Sequence, residues 1–239
     1  MVTKFYHRPM EKSRIQMLYE TCNAVFSQER PTIQQIQCVK NHLDKVEAAD
    51  VGIDEFNLHG SPNLICGKGL SEITYIHIHE CNNFSIGIFC FPAGRKFPLH
   101  DHPGMTVLSK LLYGSVHIKA YDWIMEKKSG CRTSGIAGAV TNGIFKAPCE
   151  PSVLFPRSGG NIHSFTALTP SAILDVLSPP YSEEFGRPST YFMDFPIPSL
   201  PGYAILEERD LPDDLVVTGA SYLGPSVEIG KNFAGFSYN

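Results

Sequence analysis

Apolar positions recur at two periods along the chain, and the period changes near residue 73. Ile15, Leu18, Tyr19, Cys22, Val25 and Phe26 fall three or four apart, so a helix carries them on one face. A second helical run opens at Pro31-Thr32, with Thr32 at the N-cap, and presents Ile33, Ile36, Leu43 and Val46. From Ile73 onward the alternation is two. ITYIHIHE, FSIGIFCF, MTVLSKLLYGSVHIKAYDW, SVLFP, SFTALT and AILDVLS are short β-branched or aromatic runs punctuated by Gly, Pro, Asn and Ser. That rhythm predicts a mainly β fold, a sandwich or barrel, preceded by helices over about 10–50. Residues 52–72, with four glycines and a proline, read as a loop. Residues 124–150 are small and polar and read as a long excursion between strands, and the tail after Pro196 is expected to wrap the body.

Composition narrows the function class. A chain of 239 residues fits one large domain or two small ones. One unit over 1–239 is expected: a helical extension over about 10–50, a barrel over about 73–195 and a C-terminal wrap over about 196–239. Twenty basic against 24 acidic residues give a net charge of −4, with no excess to neutralise a phosphate backbone, so nucleic-acid binding is set aside. No apolar run approaches the ~18 residues a membrane span needs, and the first residues lack a signal-like apolar stretch. Seven cysteines, an odd number without CxxC, do not suggest a disulfide framework; an intracellular, soluble protein is expected. Nothing forces a subunit interface, and a monomer is the expectation.

The candidate chemistry lies in GRKFPLHDHPG. His100 and His102 are two apart, so on extended backbone both imidazoles leave one face and can chelate one divalent ion. His163, in PRSGGNIH, likewise follows a Pro/Gly turn. Three neutral imidazoles leave a bound ion dipositive, with open positions for substrate and oxygen. The chain carries its own control: His77 and His79 share the spacing but sit mid-strand without flanking glycines, and read as structural. His117 reads as a strand residue, and His7, His42 and His59 have no partner nearby. Asp175 interrupts the apolar run AILDVL, out of phase with Leu174 and Val176, so it faces the barrel interior. A buried carboxylate needs a partner, which leaves two readings, an active-site group or an anchor for the turn at Pro179-Pro180. Tyr181 is open in the same way, as channel lining or as packing. Imidazole ligands do not distinguish iron from zinc.

The spacing Gly94-x5-His100-x-His102-x4-Val107-x6-Gly114 resembles the first cupin motif, and Gly160-x-x-His163 resembles the core of the second. Metal-binding cupins usually place a glutamate where Val107 stands, and its absence resembles the thiol dioxygenases. IHIHECNNFSIGIFCFP, FPLHDHPGMTVLSKLLYGSVHIKAYDW, LFPRSGGNIHSFTAL and ILDVLSPPYSEEFGRPSTYFMDFP are similar to the plant cysteine oxidase family over about 73–195. The resemblance implies a cupin-type double-stranded β-helix, a jelly-roll barrel. It implies an Fe(2+) enzyme, held by His100, His102 and His163, that uses O2 to oxidise the N-terminal Cys of proteins to the sulfinic acid. Targets such as group VII ethylene response factors would make it an oxygen sensor feeding the N-degron pathway, cytoplasmic with a nuclear share. The same resemblance carries an active-site role to Asp175. Ser189 stands where some relatives have a cysteine, so no Cys–Tyr crosslink forms through this position. No arginine is placed to clamp the carboxylate of a free amino acid. The alternatives are a cupin enzyme or small-ligand sensor with another divalent metal, or a dioxygenase of free small thiols.

Overall fold

The computed structural model describes residues 12–53, 72–129 and 132–229. Both N-terminal helices start at a side-chain cap, of which Thr32 is the one the sequence predicts. The first, α1 (Arg14–Phe26), begins after Ser13, whose side chain accepts from Gln16 N at 3.3 Å. The second, α2 (Ile33–Asp44), begins after Thr32 in a reciprocal capping box with Gln35. Their inner faces, Ile15, Leu18 and Cys22 against Ile36, Val39 and Leu43, join one hydrophobic cluster. Ile33 does not share that face. It is 66% exposed in the first turn of α2, and Val39 fills the inward position instead. His42 lies in the last turn of α2. His7, His59 and most of the 52–72 loop lie outside the described residues.

Twelve strands follow among the described residues. In chain order they are β1 (Ile73–Glu80), β2 (Ser85–Phe91), β3 (Lys96–His100), β4 (Thr106–Tyr113), β5 (Ser115–Ser129) and β6 (Arg132–Lys146). The second half comprises β7 (Ser152–Leu154), β8 (Ile162–Ala167), β9 (Ser171–Ser178), β10 (Tyr191–Pro196), β11 (Tyr203–Arg209) and β12 (Val217–Ala220). They form a six-stranded sheet, β12-β1-β2-β9-β4-β7, and a closed barrel, β10-β11-β6-β5-β8-β3. The mainly β, cupin-type barrel with N-terminal helices is therefore the fold.

Period-two patterning gives the open sheet two different faces. Ile76, Ile86, Ile88, Leu108, Leu174 and Val176 point into the cluster under α1 and α2. Phe89, Val107, Ser109, Ile173, Asp175 and Leu177 point the other way and line a cavity shared with β3 and β8. The closed barrel has a separate interior, where Leu99, Tyr121, Ala137, Ile162, Phe192 and Leu206 pack together. It closes between β10 and β3 through the single pair Tyr191–His100, so the closure seam runs beside the cavity.

Two expectations are corrected. Residues 124–150 are mostly not an excursion but the outer part of the long β5–β6 hairpin, paired from Ser115–Lys146 to Ser129–Arg132. Its outer half exposes Ile124 and Met125, so the backbone ladder holds it in place of a buried face, and the usual alternation is missing. The tail does more than wrap: it contributes β11 to the closed barrel and β12, parallel to β1, to the sheet.

Candidate active site

Three histidines converge on the cavity. His100 ends β3 and lies opposite His163 of β8, past a register shift between Phe97 and His100. His102 lies beyond the end of β3, so extended backbone does not bring it to the cluster, as its spacing from His100 had suggested. The amide of Asn161 holds it there: His102 N donates to Oδ1 at 3.1 Å, and Nδ2 donates to His102 O at 2.9 Å. Asn161 in turn stands on a tight turn. Gly160 and Asn161 both donate backbone N–H to Asp122 Oδ1, at 3.0 and 2.9 Å. Gly160 has φ +86°, and a Cβ there would lie 2.7 Å from the Cβ of Ala120, so only glycine fits.

The result is a buried trio whose ligand atoms all lie within 4.8 Å of one another. Second hydrogen bonds set the tautomers. His100 Nδ1–H donates to Pro98 O at 2.9 Å, leaving Nε2 as an acceptor. Tyr181 O–H donates to Asp101 O at 2.7 Å, and its oxygen lies 2.8 Å from His102 Nδ1, whose N–H it accepts. That leaves His102 Nε2 unprotonated and 3.0 Å from His163 Nε2. Burial lowers the pKa of His100 to about 4 and pushes His102 and His163 well below the usual imidazole range, with neighbouring imidazoles adding to the effect. Neutral nitrogens at this spacing fit a divalent ion, and the Nδ1 partners of His100 and His102 supply the outer support such ligands need. Burial raises the Tyr181 phenol well above its usual range, so it stays a neutral donor.

The cavity in front of the trio has a volume of about 400 Å³. Asp175 projects into it from β9 between Gly87 and Ser109 of the flanking strands, as its phase predicts. Burial raises its pKa from 3.8 to about 7, and a hydrogen bond with Ser109 opposes the rise. Its Oδ1 has no partner, a costly state for a buried polar atom and one that a ligand donor would relieve. Glu80 stands exposed at the rim, Tyr75 lines the same cavity, and no Lys or Arg is found among the described lining residues. Val107, at the position where related metal sites carry glutamate, is a buried apolar part of the wall. Ser189 hydrogen-bonds the Tyr181 and Tyr191 phenols at the closure seam.

The other described histidines do not join the site. His79 packs against Tyr19 and Phe84, with ring centroids 4.8 and 5.1 Å away. His77 is exposed across a bulge, and His117 sits in β5 opposite Ile144. Sequence reasoning missed Asn161, Asp122 and Ser109 as positioning residues. The only sequence signal was an Asn after Gly159-Gly160 and two residues before His163.

The PCO_ADO family model matches residues 42–227. Plant cysteine oxidase 1 of Arabidopsis thaliana is 42% identical, over 90% of this chain and 80% of its own. Plant cysteine oxidase 2 of the same organism is 39% identical, over 90% and 83%. Human (Homo sapiens) 2-aminoethanethiol dioxygenase is 33% identical, over 81% and 82%. Among solved structures, an RmlC-like cupin from Desulfovibrio desulfuricans overlaps 51% of this chain and 95% of its own, at 20% identity and TM-score 0.34. Extended identity and a whole histidine trio lead to one conclusion: the chain belongs to the PCO_ADO family and is a thiol dioxygenase.

Proposed function

We propose that this protein uses O2 to oxidise the N-terminal cysteine of proteins or peptides to cysteine sulfinic acid, with Fe(2+) held by His100, His102 and His163. The observation that carries the substrate class is the charge of the cavity wall, which holds the Asp175 and Glu80 carboxylates and no cation among its described residues. The relatives named for cysteine and for 2-aminoethanethiol share one unit, an amine two carbons from a thiol. A wall with carboxylates and no cation among its described residues suits that unit and offers no Lys or Arg among them to pair with a free carboxylate. A peptide N-terminus offers the same amine and thiol, with its α-carboxyl neutralised in the peptide bond.

What Fe(2+) supplies when bound is a dipositive centre that lowers a thiol's pKa and brings it together with O2. The residues do the rest. The three imidazoles stay neutral, so the positive charge remains available to a thiolate. Asp175 Oδ1 accepts from the α-ammonium, which fixes the orientation of the Cys side chain. Tyr181 holds the His102 ring by its Nδ1, and the apolar wall of Phe89, Phe165, Ile173 and Leu177 limits water. The stoichiometry closes without a reductant. The thiol RSH and O2 give RSO2H, sulfur losing four electrons and both oxygen atoms gaining them.

In cells this chemistry would read oxygen for the N-degron pathway, with group VII ethylene response factors as targets and a cytoplasmic and nuclear location. The test is a substrate panel for the iron-loaded protein: a Cys-initiated peptide, its N-acetylated form and free cysteine. Oxidation of the free-amine peptide with no reaction of the acetylated one is expected. Preference for free cysteine would overturn the proposal in favour of small-thiol metabolism.

A further inference from the structure

A second cavity, of about 100 Å³, lies behind the histidine trio. Ser109, His163, Phe165 and Ile173 line both this cavity and the large one, so the two meet at His163. Its further walls include Leu111, Val116, Ile118, Ala120 and Leu154, and its rim includes Thr141, Phe145, Cys149, Glu150 and Ser152. The rim belongs to β6, β7 and the turn before β7, whereas Tyr181, Ser189, Tyr191 and Glu80 border only the large cavity. The protein thus has two approaches to one centre, a wide one bordered by Glu80 and a narrow one with an aliphatic inner wall.

We infer that the rear cavity conducts dioxygen to the site. The inference rests on the proposed function and supplies what that reaction requires. A peptide entering by its N-terminus fills the large cavity and trails its chain through the acidic mouth, so a gaseous second substrate needs another path. A narrow cavity excludes a peptide, and its inner stretch of Leu111, Val116, Ile118, Ala120 and Leu154 offers water no side-chain partner, while a small apolar molecule gains by entering. Ser109 stands at the junction and holds Asp175, so the gas arrives on the far side of the group that orients the thiol substrate.

Two rim substitutions test the route without touching the trio or Asp175. Thr141 is half-buried in β6, paired with Ala120, where a tryptophan suits strand backbone and fills the opening. Ser152 is exposed in β7 and takes a phenylalanine in the second variant. Thr141→Trp and Ser152→Phe are each expected to lower kcat/KM for dioxygen about fivefold, with the peptide KM and the rate at saturating oxygen unchanged. A readout free of turnover is xenon binding to metal-free crystals. The wild type is expected to take xenon between Leu111, Ile118 and Leu154, and Thr141→Trp to exclude it. Unchanged oxygen kinetics in both variants, or a rear cavity that holds ordered water and no xenon, overturns the inference. A fall in kcat/KM for the peptide instead would mark this opening as a substrate mouth and equally overturn it. A wild type that oxidises no Cys peptide but binds xenon there would count against the proposed function, whereas full peptide turnover without xenon would count against the conduit alone.

Discussion

Replacing Asp175 with asparagine separates two consequences of one buried carboxylate. Asp175 rises to a pKa of about 7 through burial, from 3.8 in the unfolded chain. The folded state therefore holds this proton more tightly than the unfolded state. The associated stability is fully present below about pH 4, declines as pH rises, and is lost above about pH 7. At about 1.4 kcal/mol per pH unit, ionised Asp175 costs the metal-free fold about 4 kcal/mol at pH 8. Asp175→Asn keeps the shape and removes that cost. Urea unfolding of the metal-free proteins is therefore expected to show no difference near pH 4 and a variant up to about 4 kcal/mol more stable at pH 8. Function moves the other way. Removing the carboxylate that faces a substrate ammonium in an enclosed cavity costs about 2–4 kcal/mol, or about 30- to 1,000-fold in kcat/KM. A peptide whose first residue lacks the α-amine tests the assignment, because wild type and variant should then turn over alike. Equal losses on both peptides, or a stability difference that does not change with pH, would refute the reasoning.

Other substitutions probe the remaining parts of the site. His163→Ala is expected to abolish metal retention, read by elemental analysis, while circular dichroism keeps the wild-type strand signal; wild-type metal content would remove His163 from the ligand set. Asn161→Ala leaves the buried His102 backbone N–H unpaired, while Met105 N still donates to the His102 C=O, and should cost about 1–3 kcal/mol in unfolding free energy and weaken metal binding. Tyr181→Phe removes the oxygen between Asp101 O and His102 Nδ1, so metal affinity should fall about tenfold or more with the fold intact, as measured by competition with a chelator. Leu18→Ala, fully buried under the helices, should lower stability by about 2–5 kcal/mol and leave peptide kinetics unchanged.

The sequence made legible what depends on local period and spacing. Thr32 capped its helix as expected, the strands followed the alternation, and Asp175 faced inward because its phase opposed Leu174 and Val176. The histidines to bring together could be named because turns flanked them, while His77 and His79 lacked such turns. What stayed hidden depends on distant parts of the chain. His102 reaches the trio through the amide of Asn161, 59 residues away, and Asn161 is held through Asp122, 39 residues back. No one-dimensional pattern records such pairings. The β5–β6 hairpin was hidden for another reason: with much of its outer half in solvent, small and polar residues replace the alternation that marks a half-buried strand.

The most direct test of the account follows a Cys-initiated peptide by mass spectrometry, with the iron-loaded protein and isotopically labelled dioxygen. The account predicts gain of two labelled oxygen atoms at the N-terminal sulfur, with no external reductant. Gain of one labelled atom, incorporation from water, or an unchanged peptide with iron bound would contradict it.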